Sequence, residues 1–238
     1  MRLDKLIEKE LTTSRKEMKR LFVRGKVKVD GKIERSEARN VDSRLHHIEV
    51  NGRTLSTSEA YYLLNKPQGV VTANHDHQHQ TVLDLLSTND RKEKLASVGR
   101  LDRDTEGLVF LTTNGQLAYE LLHPVKKVTK CYEAVVNGEV TTEDIAAFQK
   151  GIVFHGGEIC QPAQLEILSA TAEESRVRLM IQEGKFHQVK KMFLACGKKV
   201  VFLKRYGIGP LMLPADLTIG RYRELTVDEL ESLKIYFC

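Results

Sequence analysis

Apolar positions recur at helical spacing from the start of the chain, where Leu3, Leu6, Ile7 and Leu11 fall on one face. A second helix follows at once. Ser14-Arg15-Lys16-Glu17 is a capping box, with Ser14 as N-cap and Glu17 reaching back to it. Met18, Leu21 and Phe22 supply the apolar side of that helix, and Gly25 marks its stop. The period then drops to two. Lys26-Val27-Lys28-Val29 alternates like a half-buried strand, and Asp30-Gly31 is a hairpin turn before Lys32-Ile33. His47-Ile48-Glu49-Val50 runs into another hairpin signal, Asn51-Gly52. Residues 1–58 therefore read as a compact module of two helices and a few strands, closing on a polar linker near Arg53-Thr54-Leu55-Ser56-Thr57-Ser58.

The body, residues 59–238, alternates apolar runs with polar turns. Ala60-Tyr61-Tyr62-Leu63-Leu64 reads as a strand that breaks at Asn65-Lys66-Pro67-Gln68-Gly69, and Gly69-Val70-Val71-Thr72-Ala73 resumes an extended run. Thr81 caps a short helix over residues 82–86. Ser97-Val98 leads into a polar turn, the strand 108–112 follows, and Asn114-Gly115 opens a helix over 116–122 that Pro124 ends. Further strands are predicted at 133–136, 177–181 and 200–203. Between the last two, a helix over 186–196 turns Val189, Met192, Phe193 and Cys196 inward, with Gly197 at its C-cap. Thr226-Val227-Asp228-Glu229 is a second capping box and opens the last helix. The class is α+β: a small front module and a larger, mainly antiparallel body of mixed strands and helices around a central cleft.

Charge changes this picture. The chain carries a net +5, but residues 1–57 hold 15 Lys and Arg against 9 Asp and Glu, whereas the remainder holds 22 against 23. A basic module joined to a nearly neutral body points to a polyanionic partner gripped by the first. No apolar stretch approaches the roughly 20 residues of a membrane span, and no signal-peptide block follows Met1-Arg2-Leu3-Asp4-Lys5. Cys131, Cys160, Cys196 and Cys238 lack paired spacing, as suits reduced thiols, so a cytoplasmic protein is expected. His75-Asp76-His77-Gln78-His79 has no Cys or Glu-rich partner segment and reads as a polar loop, not a metal site.

The candidate chemistry sits in Gly99-Arg100-Leu101-Asp102-Arg103-Asp104-Thr105-Glu106-Gly107-Leu108. Three acids and two arginines fall within eight positions, with the apolar run Leu108-Val109-Phe110-Leu111 beyond them. Such a turn at the mouth of a buried strand lets arginines hold a carboxylate ionised where water is scarce, as a carboxylate nucleophile requires. From spacing alone, a salt-bridged turn capping a strand competes with that reading. Three separated segments, 65–69, 99–107 and 183–191, share one form: a strand end followed by polar and basic residues. The pattern predicts that they meet in one cleft.

Arg2-Leu3-Asp4-Lys5, Ser14-Arg15 and Arg24-Gly25-Lys26-Val27-Lys28-Val29-Asp30-Gly31 resemble the S4 RNA-binding domain. In that family the second helix and adjoining loop track the RNA backbone, which implies phosphate contacts from Arg15, Lys19, Arg24 and Lys26. The 99–108 motif, Glu183-Gly184-Lys185-Phe186-His187-Gln188-Val189-Lys190-Lys191-Met192 and the weaker Lys66-Pro67-Gln68-Gly69 and Lys130-Cys131-Tyr132 together resemble the pseudouridine synthases of the RsuA family, which modify ribosomal RNA. That resemblance covers almost the whole chain. It implies Asp102 as catalytic aspartate, Tyr132 as the ring that stacks on the target base and helps remove its C5 proton, and Lys190 as the cation paired with the aspartate. Many relatives carry arginine at that position; lysine keeps the charge and loses the bidentate fork. Lys191 projects about 100° further around the helix and is the weaker candidate. Lys66, Lys130, His187 and Gln188 are implied substrate contacts. Arg100 and Arg103 hold RNA phosphates or brace the turn, and Asp104 and Glu106 are structural.

The implied reaction breaks the uridine N1–C1′ bond, turns the uracil and joins C5 to C1′. It is an isomerisation, so no redox cofactor, metal or nucleotide is expected. The aspartate can attack the base, attack the sugar or stabilise the sugar cation. The uridine must first leave the RNA stack. Phe186-His187-Gln188-Val189-Lys190 is closer to the small-subunit enzymes of the family, which implies one uridine of 16S rRNA, naked or in a partly assembled small subunit, and a monomeric enzyme. The rivals are a large-subunit 23S rRNA enzyme of the same family, a non-catalytic S4-type ribosome-associated binder, and a glycosidase-like hydrolase pairing Asp102 with Asp104 or Glu106. The basic front module and an aromatic content of 6% without Trp disfavour the hydrolase.

Overall fold

The computed structural model describes residues 1–237 and divides the chain between two sheets with separate cores. At the front lie α1 (Leu3–Leu11) and α2 (Arg15–Val23), then β1 (Val27–Val29), β2 (Lys32–Ile33), β3 (Ile48–Val50) and β4 (Arg53–Thr54). The Ser14–Glu17 capping box forms as read. The strands order as β2-β1-β3-β4, all antiparallel. Asp30 (φ 53°) with Gly31 (φ 78°), and Asn51 (φ 51°) with Gly52 (φ 82°), supply the paired left-handed positions of tight hairpin turns. Leu3, Leu6, Ile7, Met18 and Phe22 pack with Val27, Val29, Ile48 and Val50. One expectation changes here. Arg53 and Thr54 pair with Val50 and Glu49 as β4, so the connector to the body starts after them.

The body begins with β5 (Tyr61–Lys66) and continues through β6 (Ala96–Val98), β7 (Glu106–Thr112), α3 (Gly115–Leu122), β8 (Lys130–Asn137), α4 (Thr142–Lys150), β9 (Gln164–Ala170) and β10 (Glu174–Ile181). It closes with α5 (Gln188–Ala195), β11 (Val200–Ile208), β12 (Leu211–Met212), β13 (Tyr222–Glu224) and α6 (Val227–Ser232). The main sheet order is β13-β5-β7-β11-β8-β10-β9, with β6 on β7 and β12 on β11. Every pairing is antiparallel except β7 with β11, a parallel seam at the middle.

Residues on alternate sides of each strand sort into two cores. Leu64, Val109, Leu111, Tyr132 and Leu179 face Phe148 of α4 and Met192 and Phe193 of α5. Leu63, Leu108, Phe110 and Ile208 face Leu117 and Leu121 of α3 and Leu230 of α6. β5 and β7 are buried on both faces along most of their length, which explains their apolar runs. The front module is joined to this body by Leu45, which packs in the second core, and by polar contacts. Tyr61 Oη donates to Asp42 Oδ2 (2.8 Å), Asn114 Nδ2 donates to Tyr61 Oη (3.1 Å), and the Arg44 guanidinium lies 4.7 Å from the Tyr61 ring centre.

Several elements differ from expectation. β5 runs on through Asn65 and Lys66 instead of breaking there, because both side chains find partners inside. Residues 69–73 form no strand and make one bridge, Val71 to Thr81. The predicted helix at 82–86 is a single 3-10 turn, Val82–Leu85, capped by Thr81 and Asp84. α5 starts at Gln188 and not at 186, since His187 takes a left-handed conformation (φ 53°) that a continuing helix excludes. α4 and β9 were not anticipated.

Candidate active site

The turn carrying Asp102 is pinned from below. Lys66, the last residue of β5, is fully buried, and its Nζ donates to the carbonyl oxygens of Pro67 (2.9 Å), Arg103 (3.3 Å) and Thr105 (2.8 Å). The Gly69 amide donates to Arg103 O (2.8 Å). Thr72 Oγ1 donates to Leu101 O (2.9 Å) and accepts from the Leu101 amide (3.1 Å). Finally the Thr105 amide closes on Asp102 O (3.1 Å). A turn held at this many points presents its carboxylate in one place.

Lys66 is thus a correction. Resemblance placed it on the RNA, but it has no exposed surface and its donors are committed to the turn. Burial lowers its ammonium to about 8, against the upward pull of Asp104, Asp102 and Glu106. From pH about 8 to 10.5 the unfolded chain therefore holds a proton that folded Lys66 has lost, so the stability attributable to this side chain rises across that window. Urea titrations of the wild type and Lys66→Met at both ends of the window are expected to show the wild type gaining relative to the variant. Parallel pH dependence of the two would contradict this.

Asp102 faces Lys190 of α5 across a short gap. Lys190 Nζ lies 2.9 Å from Asp102 Oδ2 and 2.6 Å from Asp104 Oδ1, and His187 Nε2 lies 3.6 Å from Asp102 Oδ1. Burial works to lower the Lys190 ammonium, but the two carboxylates outweigh it and the group is raised. Burial likewise works to raise Asp104, and the Lys190 contact overrides it, leaving Asp104 below its ordinary range. Asp104 was read as structural; it shares the cation with Asp102 instead.

Tyr132 on β8 forms part of the cleft wall and pairs across the sheet with Leu179 and Arg205. The cleft, about 890 Å³, is lined by Asp102, Lys190, His187, Tyr132, Lys130 and Arg205 among others. The segments 99–107 and 183–191 meet in it, and 65–69 lies beneath the first of them. Arg100 and Arg103 stand exposed on its rim. Arg103 Nη1 lies 2.6 Å from His79 Nε2, and arginine only donates, so His79 carries its proton on Nδ1, 3.3 Å from Asp76 Oδ1. The histidine loop therefore braces Arg103, and no group of metal-ligating side chains forms among the described residues.

One further expectation is corrected. Gln188 is buried, its Oε1 accepting from the Lys185 amide (2.9 Å) and its Nε2 donating to Glu183 Oε1 (2.7 Å), so it builds the start of α5 and has no amide group left for RNA. Lys191 points at aromatic rings, its Nζ 5.1 Å from the Phe186 centroid and 5.5 Å from that of Phe154, away from the carboxylates. On the front module Arg15, Lys19, Arg24 and Lys26 are all exposed. Sequence reasoning missed Arg205. Its signal was a charged residue at the inward phase of a strand, two positions after buried Leu203.

Comparison with known proteins agrees with this geometry. Residues 60–195 match the model of the RNA pseudouridylate synthase family. The chain is 42% identical to the uncharacterized RNA pseudouridine synthase YtzG of Bacillus subtilis (strain 168), covering 98% of each. It is 39% identical to the ribosomal small subunit pseudouridine synthase A of Escherichia coli (strain K12), covering 98% of this chain and 100% of the relative. A crystal structure of a pseudouridylate synthase superposes with a TM-score of 0.69 at 36% identity, over 98% of this chain and 99% of the other. With a matched family model over more than half its length and near-full-length relatives, this chain belongs to the RNA pseudouridylate synthase family, enzymes that isomerise uridine in RNA.

Proposed function

We propose that the protein converts one uridine of small-subunit (16S) ribosomal RNA to pseudouridine, with Asp102 as the catalytic carboxylate. The observation that carries this reading is the Lys190–Asp102 pair at 2.9 Å in a cleft that also holds Tyr132. Lys190 pairs with Asp102 and aims it, Tyr132 receives the extruded uracil on its ring, and His187 and the rim arginines Arg100 and Arg103 hold the flanking backbone. The net reaction is an isomerisation and draws on no cofactor. The name of the Escherichia coli relative supports the small subunit as substrate, and so does the Phe186-His187-Gln188-Val189-Lys190 signature. The enzyme works as a cytoplasmic monomer on naked RNA or a partly assembled particle. No described helix is long and apolar enough to cross a membrane.

Tritium release from C5-labelled transcripts tests this. Release from 16S but not 23S RNA, with a single new pseudouridine, is expected. Release of free uracil would instead indicate a hydrolase, and binding without release a non-catalytic binder. Residues 1–58 act as an S4-like grip through Arg15, Lys19, Arg24 and Lys26. Replacing all four by Ala is expected to weaken RNA binding and to flatten the slope of log affinity against log salt by about 3. Filter binding across a salt series checks this, and an unchanged slope would remove the grip from these residues.

A further inference from the structure

We propose that Arg205 and Lys130 form a cationic floor that takes up the negative charge on the uracil as its bond to the ribose breaks. This deepens the pseudouridine synthase reading and rests on it. Arg205 sits on β11 with 1% of its surface exposed. Its Nε donates to Leu108 O (2.9 Å), while Nη2 is buried with no hydrogen-bond partner within the protein. Among the described residues no carboxylate forms an ion pair with it. Arginine stays charged, and a buried charge with no counter-charge is costly to a fold. Such a group stands ready for an anion that the free protein lacks.

Lys130, nearly as buried, has the same character. Its Nζ donates only to Val128 O (3.3 Å). Lys130 stands two positions before Tyr132, the cross-strand partner of Arg205, so the two cations share one face of the sheet, and burial and then the charge of Arg205 lower the Lys130 ammonium. Glu183, the one acid that pulls it back up, is engaged by the Gln161 amide (2.8 Å), Gln188 Nε2 (2.7 Å) and Lys185 Nζ (3.9 Å). Both cations line the cleft that holds Asp102. Arg205 is the cross-strand partner of Tyr132, and its Nη1 lies 3.9 Å from where a β-carbon on Gly99 would stand. The floor therefore lies between the base platform and the backbone leading to Asp102.

The chemistry calls for such a floor. When N1–C1′ breaks, its electron pair stays on N1 and spreads over O2 and O4. If the carboxylate attacks the base first, the resulting enolate oxygen carries the charge. C5 then bonds C1′, the C5 proton leaves and N1 takes up a proton, so composition is unchanged. A fixed cation in a dry pocket stabilises charge that exists only as the bond breaks, and so raises rate more than affinity. The depth of Arg205 suits the planar base, whereas the exposed Arg100 and Arg103 suit phosphates.

Single-turnover tritium release and RNA affinity, measured on Arg205→Ala, test the floor. The expected result is a rate loss on the order of 10²-fold with affinity within about twofold of wild type. Guanidinium ion added at millimolar concentration restores the rate, and urea, its neutral isostere, does not. An undiminished rate overturns the proposal. So does a loss carried in affinity with a shallower salt dependence, which marks a phosphate contact, or equal rescue by urea, which marks a hydrogen-bonded brace. If Arg205→Ala does not fold, Lys130→Met takes its place, and an unchanged single-turnover rate there overturns the pair. Release by the wild-type protein reads the proposed function separately: its absence removes that function, whereas wild-type release with an unimpaired variant removes only the floor.

Discussion

Asp102→Asn is expected to abolish pseudouridine formation, lowering turnover by on the order of 10⁴-fold or more, while RNA binding stays close to wild type. The substitution keeps the shape of the side chain and removes only its charge and nucleophilicity. It should also fold. Lys190 remains paired with Asp104 at 2.6 Å, so no cation is stranded, and the turn is held by Lys66, Gly69 and Thr72 through backbone atoms that the change leaves alone. Tritium release from C5-labelled 16S transcripts measures the rate, and filter binding measures the affinity. Turnover within tenfold of wild type would reject Asp102 as the catalytic carboxylate, whatever the fate of the rest of the site.

The largest effect on stability is expected at Gly107. In the parallel seam Gly107 stands opposite Arg205, with φ at +104°, and a β-carbon there would lie 2.1 Å from Arg205 O. Neither strand can retreat, because β7 is clamped by β5 and β11 by β8. Gly107→Ala should therefore cost about 4 kcal/mol or more, enough to lower the melting temperature by roughly 10 °C or leave the protein insoluble. Gly31 supplies the control. It also has positive φ (+78°), but a β-carbon there meets nothing within 4 Å, so Gly31→Ala should cost only about 1–2 kcal/mol of backbone strain. Thermal melts of the two variants compare them, and similar losses would mean that backbone conformation, not the closeness of Arg205, sets the requirement at Gly107.

The two positions also mark what was legible in the chain. The turn carrying Asp102 stood out because three acids and two arginines crowd it before an apolar run, and the family resemblance singled out Asp102 within it. Much of the front module was readable locally, since α1 has a clear apolar face, α2 carries a capping box and its turns carry Asp-Gly and Asn-Gly. The seam left no such mark: the partners of β7 and β11 lie far apart in sequence, and strand pairing at that distance has no local signature. α4 hid because only Ile145 and Phe148 give it an apolar side, although Thr141 and Asp144 form a capping box in front of it. β9 hid because Leu165 alone is buried in it, and its end, Leu168-Ser169-Ala170, is exposed without apolar-polar alternation. Lys66 and Gln188 were misplaced for a shared reason. Long polar side chains in a motif suggest ligand contacts, and only tertiary structure reveals that their donors and acceptors close on the protein's own backbone and side chains.

The seam also sets an order of maturation. During vectorial synthesis the four-stranded front sheet has all its strands by residue 54, whereas β7 waits for β11, which ends at residue 208. Until then the edge of β7 at residues 106–107 stays open, since β6 covers only residues 110–112 on that side, and an open edge is a template for mispairing between nascent chains. High contact order at the centre of the sheet implies slow closure, so the front module is complete long before the body. A chain cut short before β11 would keep the complete front sheet and lack both the seam and the buried arginine it carries.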